Sequence, residues 1–393
     1  MEQSKTQLGR FEVLDSWRGI CALIIALFHF QAYSHLTTTS FLANCYLFVD
    51  FFFVLSGFVI AANYQARLAE GFGLGQFMLL RFGRIYPLHL FIFLLFIFAE
   101  LVKVVLQNYL PMDVPAFDSN MHGPHSLLAQ LLFLQSFNFY PYLTWNVPSW
   151  SIATEFWTYL LFAIAAIYAG RLFNWFMVGA IAMGLTTLYL FSPFWMNATF
   201  DFGIYRCLAG FCAGVICWHV WSKYLHGLKL SWLATNLLEI LVTLNVVFFI
   251  WIAAWTVYSI FAPFLFAVVV LVFAAEGGLI SRILRLKPFQ ILGALSYSVY
   301  MMHYFIEEQV TNAVKMIAKL KGYQLINYDY SITPPAKLVG NTLAQGDMWS
   351  VLVICLVLPA AYFSYHYIEI PSRNWFRKIA ATQTTAQIQM ARP

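Results

Sequence analysis

Apolar runs close to the ~20 residues that a helix needs to cross a bilayer constrain this chain more than any other feature. Residues 236–255 and 258–275 are two such runs, and 88–102 becomes a third with its flanks. Charged residues make up only 10% of the 393, against about a quarter in soluble domains. The composition therefore predicts an all-α integral membrane protein. Hydrophobic periodicity and length place ten transmembrane helices at 16–34, 44–63, 86–106, 150–169, 174–192, 203–222, 236–255, 257–275, 290–309 and 348–368. Segment 126–138 is apolar but short, and is expected as an interfacial or re-entrant helix. No signal peptide is expected, because the polar first seventeen residues lead into a full-length span.

Lysine and arginine gather on one side of such a bundle. The even-numbered connections and both ends carry 15 of the 22, the opposite side carries four, and Arg18, Lys103 and Arg206 fall within or at the ends of spans. By the positive-inside rule both termini face the cytoplasm. The loops 107–149 and 310–347 then lie outside, the first with Asp113 and Asp118 and no lysine or arginine. Three parts follow: a cytoplasmic segment 1–15, a membrane domain 16–378, and a cytoplasmic tail 379–393 expected to be disordered. The six cysteines sit in or beside apolar segments without metal-ligand spacing, so neither a metal nor redox chemistry is expected.

Ionisable groups within spans usually face a bundle interior or a water-filled path. Arg18 and His29 are eleven residues apart, which puts them on one helix face about 16 Å apart. Arg18 stands near the cytoplasmic surface and His29 deeper, although a pairing of Arg18 with Asp15 and a satisfied core histidine would also fit. "FVDFFFVLSGFVIA" brings Asp50, with Ser56 and Gly57 as a small pair suited to close packing. Arg81 and Arg84, at helical spacing in "RFGRIYP", present planar forks suited to phosphate, and also satisfy ordinary positive-inside charge. Glu155 in "WNVPSWSIATEFW" lies just inside the outer surface among Trp150, Phe156 and Trp157. There it would be desolvated, as proton handling or a structural hydrogen bond requires. Arg206 and His303 read as structural. Phe137, Phe139, Tyr140, Tyr142, Trp145 and Trp150 are expected as interfacial anchors, or as a stacking surface for sugars.

Together these residues resemble the acyltransferase-3 family of membrane enzymes. Its arginine, ten residues, histidine pattern is met by Arg18 and His29, and its paired arginines by Arg81 and Arg84. Its FF-x-x-SGF element stands as "FFFVLSGF", and its tryptophan-serine-to-glutamate stretch as Trp150, Ser151 and Glu155. "SYSVYMMH" and "YIEIPSRNW", the latter with Glu369 and Pro371, extend the likeness from about residue 11 to 378. The resemblance implies a bacterial inner-membrane O-acyltransferase. Such an enzyme moves an acyl group, commonly acetyl, from cytoplasmic acyl-CoA to an extracytoplasmic carbohydrate such as a surface polysaccharide or lipopolysaccharide. It also implies an essential histidine. Some relatives carry a fused hydrolase-like domain outside, so this chain is expected to work with the membrane domain alone or with a separate partner.

On that basis acetyl-CoA is the expected co-substrate, its phosphates held by Arg81 and Arg84 with Arg18. His29 is the expected general base towards a sugar hydroxyl, and Glu155 orients the imidazole or binds the acceptor. No metal and no nucleic acid enter this scheme. The competing expectation is a proton-coupled transporter of a small organic anion, using Arg18, His29, Glu155 and Arg206.

Overall fold

In lipid, backbone amides are satisfied within their own segment, and each long apolar run is accordingly helical. The structure, a computed structural model, describes residues 11–110, 114–118, 120–253, 255–329 and 336–390. Lys5, Arg10, Asp113 and Arg392, counted above, lie outside the described residues. In chain order the main helices are α1 (Glu12–His29), α2 (Phe48–Ile60), α3 (Leu74–Leu106), α4 (Ser149–Tyr168), α5 (Phe173–Phe191), α6 (Gly203–Val220), α7 (Trp232–Ala253), α8 (Ala262–Phe273), α9 (Lys287–Lys321), α10 (Leu343–Ser364) and α11 (Ile370–Met390). A two-stranded antiparallel hairpin, β1 (Ile326–Asp329) with β2 (Ala336–Val339), separates α9 from α10.

Among the described residues, seven helical segments are long and apolar enough to cross a membrane: Cys45–Ala69, Leu74–Leu106, Ser149–Tyr168, Gly170–Phe191, Gly203–Leu225, Trp232–Ala253 and Leu343–Thr382. The other three expected spans are helices that fall short of that mark. α8 with its leading turn is a shorter apolar helix, Val257–Phe273. α1 packs Glu12, Asp15 and Arg18 into 18 residues, and α9 spends its middle on Ser296, Tyr297, Ser298, Tyr300 and His303. These two, the least apolar of the ten expected spans, lie against each other. A side-chain carbon on Gly19 would come within 2.6 Å of the Leu292 backbone, and one on Gly293 within 2.6 Å of the Asp15 carbonyl oxygen. Such close approach is what small residues permit between membrane helices.

A second seam joins α2, the most enclosed span, to α6. A side-chain carbon on Gly57 would overlap the Phe211 carbonyl, and one on Gly214 the Val54 carbonyl. Gly57→Val forces backbone apart rather than a flexible side chain, and overpacking of this kind costs about 3 kcal/mol or more. The variant is expected to lose most of its extractable, monodisperse protein, or to unfold many degrees lower in a detergent melt; wild-type behaviour would show that α2 and α6 do not meet here. The same seam holds Arg206, whose guanidinium grips Asp50 at 2.9 and 2.7 Å and also donates to the Tyr46 carbonyl at 2.9 Å. Both side chains are buried. Asp50 is therefore no interfacial residue but the buried counter-charge of Arg206, and removing either one strands the other in a low dielectric.

Several boundaries differ from expectation for identifiable reasons. α1 stops at His29 instead of continuing to residue 34, because Phe30 turns extended and the chain joins the hairpin. Tyr33 N–H donates to Val339 O and Val339 N–H to Gln31 O, both at 2.8 Å. α3 begins at Leu74, well before residue 86, and so carries Arg81 and Arg84 within the helix. Segment 126–138 is helical only over Leu127–Leu131. Its buried Gln130 and Gln135 instead bind the Thr144 and Ser149 backbone and side chains. α10 passes through a π-turn into α11, which continues to Met390, where disorder was expected from residue 379.

Candidate active site

The α1–α9 seam brings the sequence-predicted arginine and histidine to partners more than 270 residues away. Arg18 Nε donates to Ser296 Oγ at 2.7 Å and Nη2 to the Gly293 carbonyl at 3.3 Å, while Nη2 also pairs with Asp15 at 3.0 Å. The pairing with Asp15 weighed from the sequence is thus present. Arg18 is turned inward to α9 all the same. Eleven residues on, His29 Nδ1 lies 2.9 Å from its own Ile25 carbonyl and 3.3 Å from Nε2 of the fully buried His303.

Those contacts favour one tautomer of each ring. A carbonyl only accepts, so Nδ1 of His29 carries the hydrogen. His303 Nδ1, 3.2 Å from the Val299 carbonyl, carries its own for the same reason. In that tautomer His303 Nε2 is an acceptor for His29, and the remaining nitrogen of His29, Nε2, carries a lone pair with no hydrogen-bond partner among the described residues. Two neutral rings so arranged leave one base, aimed away from both carbonyls. His303, read as structural from the sequence, is thus the positioning partner of His29, and its place in "SYSVYMMH" was the available signal.

Glu155 occupies a different part of the bundle. Its carboxylate accepts from Ser56 Oγ and from Tyr159 OH, and those two hydroxyls are 3.0 Å apart. No hydrogen bond joins it to His29 among the described residues, so the expectation that it orients the imidazole finds no support in the geometry. Of the small pair in α2, Gly57 serves packing and Ser56 serves this polar cluster. Below Glu155 lie the two arginines of α3. Arg81 is buried, donates from Nη2 to Tyr64 OH at 2.9 Å, and stacks over the Tyr64 ring at 4.7 Å. Its Nε has no partner. Half-buried Arg84 makes no hydrogen bond or ion pair to any described residue. Glu369, Tyr159, Asp15 and Glu155 all lie within electrostatic reach of it. A guanidinium held among anions without being consumed by one retains its full set of donors for a ligand.

Beside the histidines, α4 and the residues just before it are tied to α9. Ser151 Oγ is 2.8 Å from Tyr300 OH, and Asn146 Nδ2 donates to the Met301 carbonyl at 3.1 Å. In the loop between α3 and α4 His122 bridges helices, with Nδ1 3.0 Å from Glu100 and Nε2 3.4 Å from Glu308. Burial alone would lower its pKa, but those two carboxylates outweigh it and raise it to about 9. Trp145 and Trp150, expected at the interface, are core residues: Trp145 Nε1 donates to Ser126 at 2.9 Å, and Trp150 lies beneath Arg206. Phe139 remains exposed, and Tyr140 and Tyr142 stack beside His125. All six cysteines are free thiols.

A bundle of membrane-length helices that holds a histidine pair and a pair of arginines among its apolar side chains defines an integral membrane protein with polar groups in its interior. The profile of the acyltransferase-3 family, described as an acyltransferase domain, matches residues 11–320, and the chain belongs to that family. Among curated proteins it is similar to the O-acetyltransferase OatA of Staphylococcus aureus strain NCTC 8325, 25% identical over 385 residues, covering 88% of this chain and 62% of that protein. OatA of strain MRSA252 is 25% identical over 403 residues, covering 96% of this chain and 60% of the relative. "Protein 2 in picA locus" of Rhizobium radiobacter is 42% identical over 90 residues, 23% of this chain and 44% of that one. The chain thus spans about three-fifths or less of the length of these relatives. No solved structure matches it significantly.

Proposed function

We propose that this chain is a membrane O-acyltransferase that carries acetyl from cytoplasmic acetyl-CoA to a hydroxyl of an extracytoplasmic carbohydrate, with His29 as general base. The observation that carries this reading is the unshared Nε2 lone pair of His29, set by the Ile25 carbonyl and His303. Family membership and the name of the S. aureus relatives, O-acetyltransferase, support the reaction class. The acceptor's hydroxyl proton passes to Nε2 while its oxygen bonds to the thioester carbon. The carbon–sulfur bond then breaks, and the imidazolium returns the proton to the CoA sulfur, so no external acid is needed.

In this reading all ten helices α1–α10 cross the bilayer, with both termini in the cytoplasm of a bacterium and the chain in its inner membrane. Helix directions support the count. α1 runs parallel to α9, since residues 18 and 29 meet 296 and 303; α2 runs parallel to α6, since 50 and 57 meet 206 and 211. α3 runs antiparallel to α11, since Gly83 faces Phe376 and Gln76 binds Ala380. Because α11 continues α10 through the π-turn, that last pair compares an odd span with an even one. Spans of equal parity should run parallel and spans of opposite parity antiparallel, and these do. Acetyl-CoA phosphates then meet Arg84, Arg81 and Arg18 from the cytoplasmic side, and the pantetheine arm follows the α1 wall for about 16 Å to His29. Glu155 balances the arginines' charge along that path. An organic-anion transporter finds less support, because Arg206, needed on its path, is spent on Asp50.

Sealed vesicles with the cytoplasmic face outward, loaded with de-O-acetylated surface glycan, test the reading. Labelled acetyl-CoA added outside should place label on the enclosed glycan. Glycan that stays unlabelled beside vesicles that take up a small organic anion would favour transport.

A further inference from the structure

One turn beyond His303 on α9 stands Glu307, only 3% exposed, with neither carboxylate oxygen hydrogen-bonded. Such a group in a low dielectric costs several kcal/mol unless it gains donors. At 100° per residue, Ser296, Tyr300, His303 and Glu307 fall within about 60° of one another, so Glu307 shares the stripe of α9 that meets Arg18 and His29. It sits about 6 Å past His303 along the axis, between the histidine pair and the end where α9 leaves for the hairpin. That hairpin pairs with Gln31 and Tyr33, just after His29.

No imidazole hydrogen is left for it. In those tautomers His303 gives its own to Val299, and the single Nδ1 hydrogen of His29 goes to Ile25 with His303 as a more distant second acceptor. The adjacent carboxylate, Glu308, points elsewhere and is taken by His122. Donors for Glu307 must therefore arrive with a ligand, and the ligand on this side of the histidines is the acceptor.

We propose that Glu307 is an acceptor-positioning residue: its carboxylate accepts hydrogen bonds from sugar hydroxyls flanking the one that His29 deprotonates. A carboxylate with two free oxygens suits a polyhydroxy ligand, since it accepts from neighbouring hydroxyls at once. The assignment rests on the acyl-transfer reading above.

The test titrates de-O-acetylated surface glycan against full-length protein in membranes, with acetyl-CoA saturating, and separately measures acetyl-CoA binding. Glu307→Gln keeps the volume but loses the charge. It should raise the half-saturating glycan concentration about tenfold or more, as loss of hydrogen bonds to a charged group implies, and leave acetyl-CoA affinity unchanged. Glu307→Asp should recover part of the loss. Wild-type half-saturation in both Glu307→Gln and Glu307→Ala would overturn the proposal, as would equal losses in donor affinity and thermal stability, which mark a packing role. If the wild-type protein labels no glycan, the acyl-transfer reading falls first and this assignment with it.

Discussion

His29→Ala should lower acetyl transfer by about 10²- to 10⁴-fold, the range a positioned general base contributes, while the protein remains folded and binds acetyl-CoA as before. The side chain is only partly buried and its hydrogen bonds are to its own helix and to His303, so truncation removes a base without unpicking a helix seam. His303→Ala discriminates between the two rings. His29 Nδ1–H keeps the Ile25 carbonyl in that variant, so the correct tautomer survives and only one hydrogen bond between neutral groups disappears. A loss of about tenfold or less is expected there. Initial rates of label transfer from acetyl-CoA, with binding and thermal melts as controls, measure both. Undiminished transfer in folded His29→Ala, or equal losses in the two variants, would remove His29 as the base.

Half of the site's geometry is present in local sequence. The eleven-residue interval from Arg18 to His29 dictates a common face, and the face is turned inward as the cost of burying charge in lipid requires. Ser296, Tyr300, His303 and Glu307 likewise share a stripe by spacing alone. Which stripe meets which is a tertiary matter: Gly19 and Gly293 set the approach of α1 to α9, and no local period links positions so far apart in the chain. Asp50 and Arg206 show the same limit. Each was visible as a polar residue at the end of an apolar run, but only their pairing explains why neither faces water. Glu155 was legible as a carboxylate at a given depth, and its partners Ser56 and Tyr159 were not, since a serine beside a glycine reads first as a packing device. Trp145 and Trp150 were misplaced because aromatic residues near a span end fit an interfacial belt as well as a polar-lined core. The helix end at His29 was missed because an apolar stretch continues past it, while the backbone there is claimed by β2, a strand far down the chain.

The two arginines of α3 carry the other large effect. Arg81→Ala with Arg84→Ala should weaken acetyl-CoA binding by about tenfold to a hundredfold for each phosphate interaction removed, the worth of a hydrogen bond to a charged group. Their single variants should differ. Arg84 makes no hydrogen bond to any described residue, although its charge lies near the buried Glu369, so Arg84→Ala is expected to weaken donor binding with the half-saturating glycan concentration unchanged. Arg81 also holds Tyr64 through its hydroxyl and its ring face, so Arg81→Ala should lower thermal stability as well. Phosphate is tested chemically with 3′-dephospho-CoA as a competitor. If the guanidiniums read that group, wild-type protein binds CoA more tightly than the dephosphorylated form and the double variant loses the preference. Rising salt should narrow the same gap, because an attraction between charges at the mouth of a bundle is screened more than the pantetheine arm's packing. Unchanged donor affinity in the double variant would assign both arginines to topology and helix packing, and would leave the basic end of the column without a ligand.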